Sequence, residues 1–178
     1  MLKWITKRVA RKFESQIGVD LPYAQEMADL APSVHWKMML MRPAMGHRKV
    51  VARDVWHLAQ LAAVQAEDCG PCVQIAVNFS LMDKVDPALL EAALAGGEQL
   101  SGDAKLAYEY GRAVATSAPG MLELIDRAQT RWGREGLMEL ALAVAYAGVY
   151  PRLKRGWGYA VSCSKIDIAV ARPEALAA

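Results

Sequence analysis

Apolar residues recur every three or four positions along most of this chain, and this spacing constrains the fold more than any other feature. Within residues 50–66, apolar Val51, Val55, Leu58, Ala62 and Ala66 recur at intervals of three and four residues. Such spacing places them on one face of an α-helix. Aromatic residues make up only 7% of the chain, and scarce aromatic and β-branched residues disfavour sandwiches and barrels. We therefore predict an all-α fold.

Proline and glycine residues mark the ends of the predicted helices. Proline is tolerated in the first turn of a helix, and glycine is common just after the last turn. The pattern predicts helices over residues 1–17, 22–30, 32–41, 50–66, 71–81, 87–95, 102–115, 121–132 and 136–149, and a last helical piece that runs to about 162 beyond Pro151. We expect residues 42–48 to form a loop, because Pro43 and Gly46 interrupt them.

The length of the chain, 178 residues, is that of one domain. We expect a single helical domain over residues 1–178, with a basic amphipathic helix at about residues 1–17. The most apolar run, residues 137–149, contains Glu139 and is shorter than the roughly 20 residues of a membrane-spanning helix. No secretory signal pattern opens the sequence, so the expected location is cytoplasmic.

The N-terminal helix has an apolar spacing of its own, at Leu2, Ile5, Val9 and Phe13. Its basic residues fall largely on the other faces and are Lys3, Lys7, Arg8, Arg11 and Lys12. We expect this helix to pack on its own domain or on a neighbouring subunit, and binding to an anionic lipid surface is the alternative. The formal net charge of +2 is far below that of a dedicated nucleic-acid-binding protein, so no nucleic-acid partner is expected.

The main functional clue is the pair Cys69 and Cys72, in the segment EDCGPC at residues 67–72. Two cysteines three residues apart at the start of a helix place both sulfurs on one face, within reach of a disulfide. The free N–H groups at a helix N-terminus stabilise a thiolate, which is the nucleophilic form of cysteine. Asp68 fits the N-cap position of that helix. The pair therefore predicts a redox-active dithiol.

Two other roles of the cysteine pair fit the sequence less well. Free cysteines are often small buried hydrophobes, but the neighbouring Asp68, Gly70 and Pro71 disfavour a core position. A zinc site usually has four nitrogen or sulfur ligands, and the chain has neither a second cysteine pair nor histidines at a paired spacing. We therefore expect no metal and no cofactor.

The sequence Cys-Gly-Pro-Cys also occurs in the thioredoxin active site, where it follows a strand, whereas an alanine-rich helix precedes it here. In this helical context the chain resembles the AhpD-like, or carboxymuconolactone decarboxylase-like, proteins from about Val50 onward. Residues 137–160, which include YPRLKRGWGYA, look like the close of a CGPC-containing branch of that family. The resemblance implies an AhpD-like helical fold and a redox-active cysteine pair.

The chain departs from the pattern of the family at two positions. Redox-active members carry a histidine four residues after the second cysteine, where this chain has Ala76. They carry a glutamate about a helix before the first cysteine, and the position twelve residues before Cys69 is His57. The proton relay that the resemblance implies is therefore altered or lost in this chain.

The candidate catalytic residues are Cys69, Cys72, Glu67, His57 and Gln74. His57 is included because proton transfer needs a group that titrates near the working pH, although a lone histidine on an apolar helix is more often a hydrogen-bonded core residue. Glu67 and Gln74 each lie within two residues of a cysteine. The resemblance favours Cys72 as the attacking thiolate and exposure at the helix start favours Cys69, so the choice stays open.

The predicted function is thiol–disulfide oxidoreduction, with a hydroperoxide or a protein disulfide as substrate and a thiol as electron donor. One alternative is a decarboxylase or lyase on the same fold. The other is a non-catalytic helical protein apposed to a membrane through its N-terminal helix. We also expect a homo-oligomer, because 54% of the chain is hydrophobic, with Met38–Met41 and Trp157 in the interface.

The third cysteine and a short basic run near the C-terminal end of the sequence are not assigned to the functional site. Cys163 is the odd cysteine, and we expect an inert thiol there. The basic run formed by Arg152, Lys154 and Arg155 carries too little charge to indicate a nucleic-acid site. We expect it to be a solvated helix end or a subunit contact.

Overall fold

The computed structural model of the chain describes residues 2–159 and 168–170, and within them it contains helices and no strand. The all-α prediction is therefore confirmed. The helices are α1 (Leu2–Ile17), α2 (Pro22–Leu30), α3 (Pro32–Leu40), α4 (Arg42–Met45), α5 (Arg53–Ala66), α6 (Gly70–Met82), α7 (Pro87–Leu94), α8 (Gly102–Thr116), α9 (Met121–Ala147) and α10 (Val149–Gly156). None of these helices combines the length and the apolar character needed to cross a membrane.

The chain divides into two compact units, Met1–Gly46 and His47–Ala178. The first contains α1 to α4, and α1 buries Thr6, Ala10 and Ile17 within it. The second contains α5 to α10 and the dithiol. The single domain predicted over residues 1–178 stays a prediction.

The structure differs from the sequence prediction at residues 42–45 and at Pro151, and agrees with it at residue 133. Residues 42–45 form the short helix α4 where a loop was predicted, because Pro43 occupies a first-turn position that needs no N–H. The two helices predicted on either side of residue 133 are both present within α9, which is interrupted at Gly133, where a φ of 72° and a ψ of −178° are not helical. Pro151 lies in the first turn of α10 and does not end a helix.

Helix α5 lies at the centre of the second unit and packs against α6, α8 and α9. Nine of its fourteen residues are buried, including Leu58, Ala59 and Leu61. The approach of α8 is close at Gly111, where an added Cβ would overlap the backbone carbonyl of Ala59. Because only glycine allows this separation, Gly111 sets the distance between the two central helices.

A buried carboxylate fixes the chain just before α5. Glu139 of α9 is fully buried and accepts hydrogen bonds from the backbone N–H groups of Lys49, Val50 and Val51, at 2.6–3.1 Å. Burial alone would raise the pKa of Glu139, but these three N–H groups outweigh it and hold the pKa below its usual value. The carboxylate therefore anchors the entry to α5 in its charged form.

Gly111→Ala should strongly destabilise the protein, because the new methyl group forces α8 away from α5. Overpacking of this kind costs about 1–3 kcal/mol or more. Gly156→Ala is the control, since an added Cβ there meets no atom within 4 Å. Urea unfolding followed by circular dichroism compares the two variants, and equal stability would contradict the close approach.

Glu139→Gln should lower the free energy of unfolding by about 1–3 kcal/mol at neutral pH, because three backbone N–H groups lose a charged acceptor. The folded-state pKa is lowered, so the contribution of the carboxylate is complete above its unfolded value of 4.5 and is lost as the pH falls through the folded value. The difference between wild type and variant should therefore shrink in acid. A pH-independent difference in urea unfolding would contradict a charged Glu139.

Candidate functional site

The turn between α5 and α6 positions the two cysteines. Helix α5 ends at Ala66, and Asp68 adopts a left-handed conformation with a φ of 49°. Cys69 then occupies the N-cap of α6, where its backbone carbonyl accepts hydrogen bonds from the N–H groups of Cys72 and Val73, at 2.9 and 3.0 Å. The prediction of Asp68 as N-cap is therefore wrong. Asp68 forms the left-handed turn one residue before the N-cap.

The structure joins Cys69 and Cys72 by a disulfide, with their Cα atoms 5.2 Å apart. This separation is usual for a disulfide and follows from the three-residue spacing across the first turn of α6. The side chain of Cys69 is 2% exposed and that of Cys72 is 8% exposed. The expectation that Cys69 is the more exposed cysteine is therefore wrong, since the N-cap residue is buried here.

A lysine from the far end of the chain lies against both sulfurs. The ammonium nitrogen Nζ of Lys154, on α10, is 3.6 Å from Sγ of Cys69 and 3.8 Å from Sγ of Cys72. Lys154 is only 9% exposed, so the expectation of a solvated helix end is wrong for this residue. An ammonium group at this distance favours a thiolate over a thiol once the disulfide is reduced.

Two arginines of α10 hold the turn that carries the disulfide. Nη2 of Arg152 lies 2.6 Å from Oε1 of Glu67. Arg155 donates from Nη1 to the backbone carbonyl of Glu67 at 2.6 Å, and its Nη2 contacts Oε2. Gly148 leaves the space, since an added Cβ there would lie 2.8 Å from Oε1. This clamp, formed by Glu67, Arg152 and Arg155, fixes α10 and therefore Lys154 beside the sulfurs.

The clamp also determines the protonation state of Glu67. Burial alone would raise the pKa of this carboxyl, which is 8% exposed, but the hydrogen bonds from Arg155 and then Arg152 outweigh it and lower the pKa. Glu67 is therefore a carboxylate at neutral pH, with both oxygens held by guanidinium groups. It lies next to the dithiol as predicted, in a position that suits anchoring α10.

His57 lies on α5 and contacts α6 away from the disulfide. Its Nε2 is 2.8 Å from Oδ2 of Asp83, and its Nδ1 is 3.1 Å from Oγ of Ser80. Burial lowers the pKa of His57, against the opposing effect of Asp83. Ser80 lies eight residues beyond Cys72, about 12 Å along the helix axis. The structure therefore brings His57 to Ser80 and Asp83, and does not bring it to the sulfurs.

Gln74 binds the main chain near the C-terminus. Its Nε2 donates to the carbonyl of Ala169 at 3.0 Å and to Oδ1 of Asn78 at 2.8 Å, and its Oε1 accepts the N–H of Ala169 at 2.9 Å. The amide is thus engaged in holding residues 168–170 on α6. Cys163 lies outside the described residues, as do 160–167 generally.

Sequence reasoning missed Lys154 and the two arginine contacts for a physical reason. Lys154 follows the buried Pro151 by three residues on α10, so both lie on one face. That relation required knowing that α10 begins at Val149, whereas the sequence suggested that Pro151 ends or kinks a helix. Among the residues that the structure describes, no group of three or more histidine, cysteine, aspartate or glutamate side chains is arranged to hold a metal ion.

Lys154→Met should slow alkylation of the reduced dithiol by iodoacetamide about tenfold at neutral pH, because loss of an opposite charge within 4–6 Å disfavours the thiolate. Lys105→Met is the matched control, since Lys105 is exposed on α8, and it should leave the rate unchanged. Lys154→Arg keeps the charge and should retain part of the rate. Equal alkylation rates in wild type and Lys154→Met would contradict the assigned role.

Comparison with known proteins identified no relative of this chain. No family model, no curated protein and no solved structure matches the chain. The resemblance to AhpD-like proteins therefore stays a prediction that depends on the residues from Val50 onward. The all-helical class and the arrangement around Cys69 and Cys72 are the findings from which a function has to be inferred.

Proposed function

We propose that the protein is a thiol–disulfide oxidoreductase whose redox centre is the pair Cys69 and Cys72. The observation that carries the proposal is the buried ammonium group of Lys154, within 3.8 Å of both sulfurs. A purely structural disulfide carries no charge, so a neighbouring cation does not stabilise it by charge attraction. A reactive dithiol is different, because the thiolate is the nucleophile in disulfide exchange and a neighbouring cation stabilises it.

The position at the start of α6 supports the same chemistry. The helix dipole favours an anion at a helix N-terminus, and Cys69 and Cys72 lie in the N-cap and third position of α6. Both electrostatic effects act on the reduced pair, which can carry a negative charge, and hardly at all on the neutral disulfide. The surroundings therefore stabilise the reduced form relative to the oxidised one.

With a hydroperoxide as oxidant, one thiolate attacks the terminal oxygen, the O–O bond breaks and an alcohol leaves after protonation. The attacking cysteine becomes a sulfenic acid, which the second thiol converts into the disulfide with release of water. Cys72 is the more exposed of the two residues, which favours it as the attacking thiolate. A protein disulfide would be reduced at the same pair by two exchange steps.

Return to the dithiol requires a thiol donor, which transfers two electrons and leaves as a disulfide. Thiol donors are kept reduced in the cytoplasm, so the proposed cycle fits a cytoplasmic location. The proposed membership in the AhpD-like family is supported by the helix that precedes CGPC and by the all-helical class. Ala76 has no titratable side chain at the position of the family histidine. We therefore assign to Lys154 the role of the cation that stabilises the thiolate.

Cys69→Ser and Cys72→Ser should each abolish the reversible formation of an intramolecular disulfide by mild hydroperoxide, whereas Cys163→Ser should not. Reduced protein is treated with peroxide, unreacted thiols are alkylated, and peptide mass spectrometry identifies the bonded pair. Recovery of free thiols after addition of a dithiol reductant tests reversibility. A wild-type disulfide that includes Cys163, or a Cys69–Cys72 bond that resists the reductant in the folded protein, would refute the proposed function.

A further inference from the structure

Helix α1 presents a charged stripe on the face opposite the one it buries. Its buried residues Thr6, Ala10 and Ile17 share one side of the helix. On the other side, at intervals of four, three and one residues, lie the four members of what we call the cationic stripe: Trp4, Arg8, Arg11 and Lys12. At 3.6 residues per turn these four fall within about 100° of arc. They line one open cleft on the helix surface.

The basic residues of α1 divide into two groups by their partners. Lys3 and Lys7 both pair with Asp29, at 3.1 and 2.8 Å, so their charge is used inside the first unit. The three cations of the cationic stripe have no carboxylate within ion-pair distance among the described residues. A positive surface is therefore left on this face, with three cations within two turns.

The N-terminal end of the stripe is apolar and exposed. Trp4 is 64% exposed. Leu2 and Ile5 are 40% and 36% exposed, but they lie about 160° and 100° around the helix from Trp4 and therefore outside the stripe. The guanidinium of Arg8 lies over the Trp4 ring, 5.5 Å from its centroid, which keeps the indole beside the cations. Phe13 does not share this surface, because the guanidinium of Arg42 lies over its ring at 4.0 Å.

From this arrangement we infer that the cationic stripe docks on an anionic phospholipid surface. Tryptophan is enriched at the level of the lipid headgroups, where its ring is apolar and its N–H is hydrated. Arginine and lysine next to it attract the negative charge of the headgroups. A nucleic acid is the less fitting partner, because the formal net charge of the chain is only +2. The inference is independent of the dithiol chemistry.

The membrane-facing side therefore differs from the one that the sequence suggests. The spacing of Leu2, Ile5, Val9 and Phe13 predicted one apolar face, with packing on protein as its expected use. In the structure Thr6, Ala10 and Ile17 make the buried contact instead. Docking through the stripe is shallow and electrostatic, so it is reversible and sensitive to salt.

The experiment is sedimentation of the full-length protein with sucrose-loaded vesicles, either of phosphatidylcholine alone or with about one third phosphatidylserine. Wild type should bind the anionic vesicles at low salt, bind neutral ones poorly, and be released by 0.5 M salt, at which the screening length is only about 4 Å. The triple variant R8Q/R11Q/K12Q should lose binding to anionic vesicles by about 100-fold. Trp4→Ala should weaken binding with all cations retained.

The matched control is K105Q/R112Q/R127Q, which removes the same charge from exposed positions on α8 and α9. It should bind anionic vesicles within a factor of about two of wild type, since the charges removed lie outside the stripe. Circular dichroism and thermal unfolding confirm that both triple variants are folded. Failure of wild type to sediment with anionic vesicles, equal binding to neutral vesicles, or equal losses in the two triple variants would overturn the inference.

Discussion

The contact between the Lys154 ammonium and the two sulfurs is the interaction around which the second unit is arranged. A buried charge loses its hydration, and it is tolerated only where neighbouring groups compensate it. Reduction of the Cys69–Cys72 disulfide would add one further group of this kind, because a thiolate would form within 3.8 Å of the ammonium nitrogen. Because Lys154 lies on α10, the redox state of the pair changes the charge interactions of that helix.

The rest of the unit serves to hold that contact in place. Gly111 allows α8 to approach α5 closely, and α5 carries the turn in which Asp68 reverses the chain. The clamp of Glu67 with Arg152 and Arg155 ties α10 to this turn at its backbone and at its side chain. A lysine side chain is long and flexible, so its position near the sulfurs depends on this second layer of contacts.

The local part of this arrangement could be predicted from sequence, and the long-range part could not. Helical spacing and proline positions predicted the helix start near Pro71 and the disulfide across its first turn, because these depend on residues a few positions apart. Lys154 and Cys69 are 85 residues apart in sequence, and no periodicity relates them. Asp68 was assigned to the N-cap because capping preferences do not register that this residue takes a positive φ.

The prediction for His57 fails for the same reason, because it also depends on long-range packing. Its residue type suits proton transfer, but which atoms it meets depends on the register of α5 against α6. That register places it against Ser80 and Asp83, so a polar contact between helices replaces the expected position at the sulfurs. The residue that does reach the sulfurs, Lys154, comes from a helix whose start the sequence placed incorrectly.

The reduction potential of the Cys69–Cys72 couple tests the central claim most directly. The protein is equilibrated with glutathione or thioredoxin buffers of known potential, and the fraction of free thiols at Cys69 and Cys72 is measured by alkylation and peptide mass spectrometry. Stabilisation of the reduced form by Lys154 and the α6 N-terminus predicts a value between about −270 and −120 mV, the range of catalytic dithiols. A value below about −300 mV, typical of structural disulfides, would contradict a redox role for the pair.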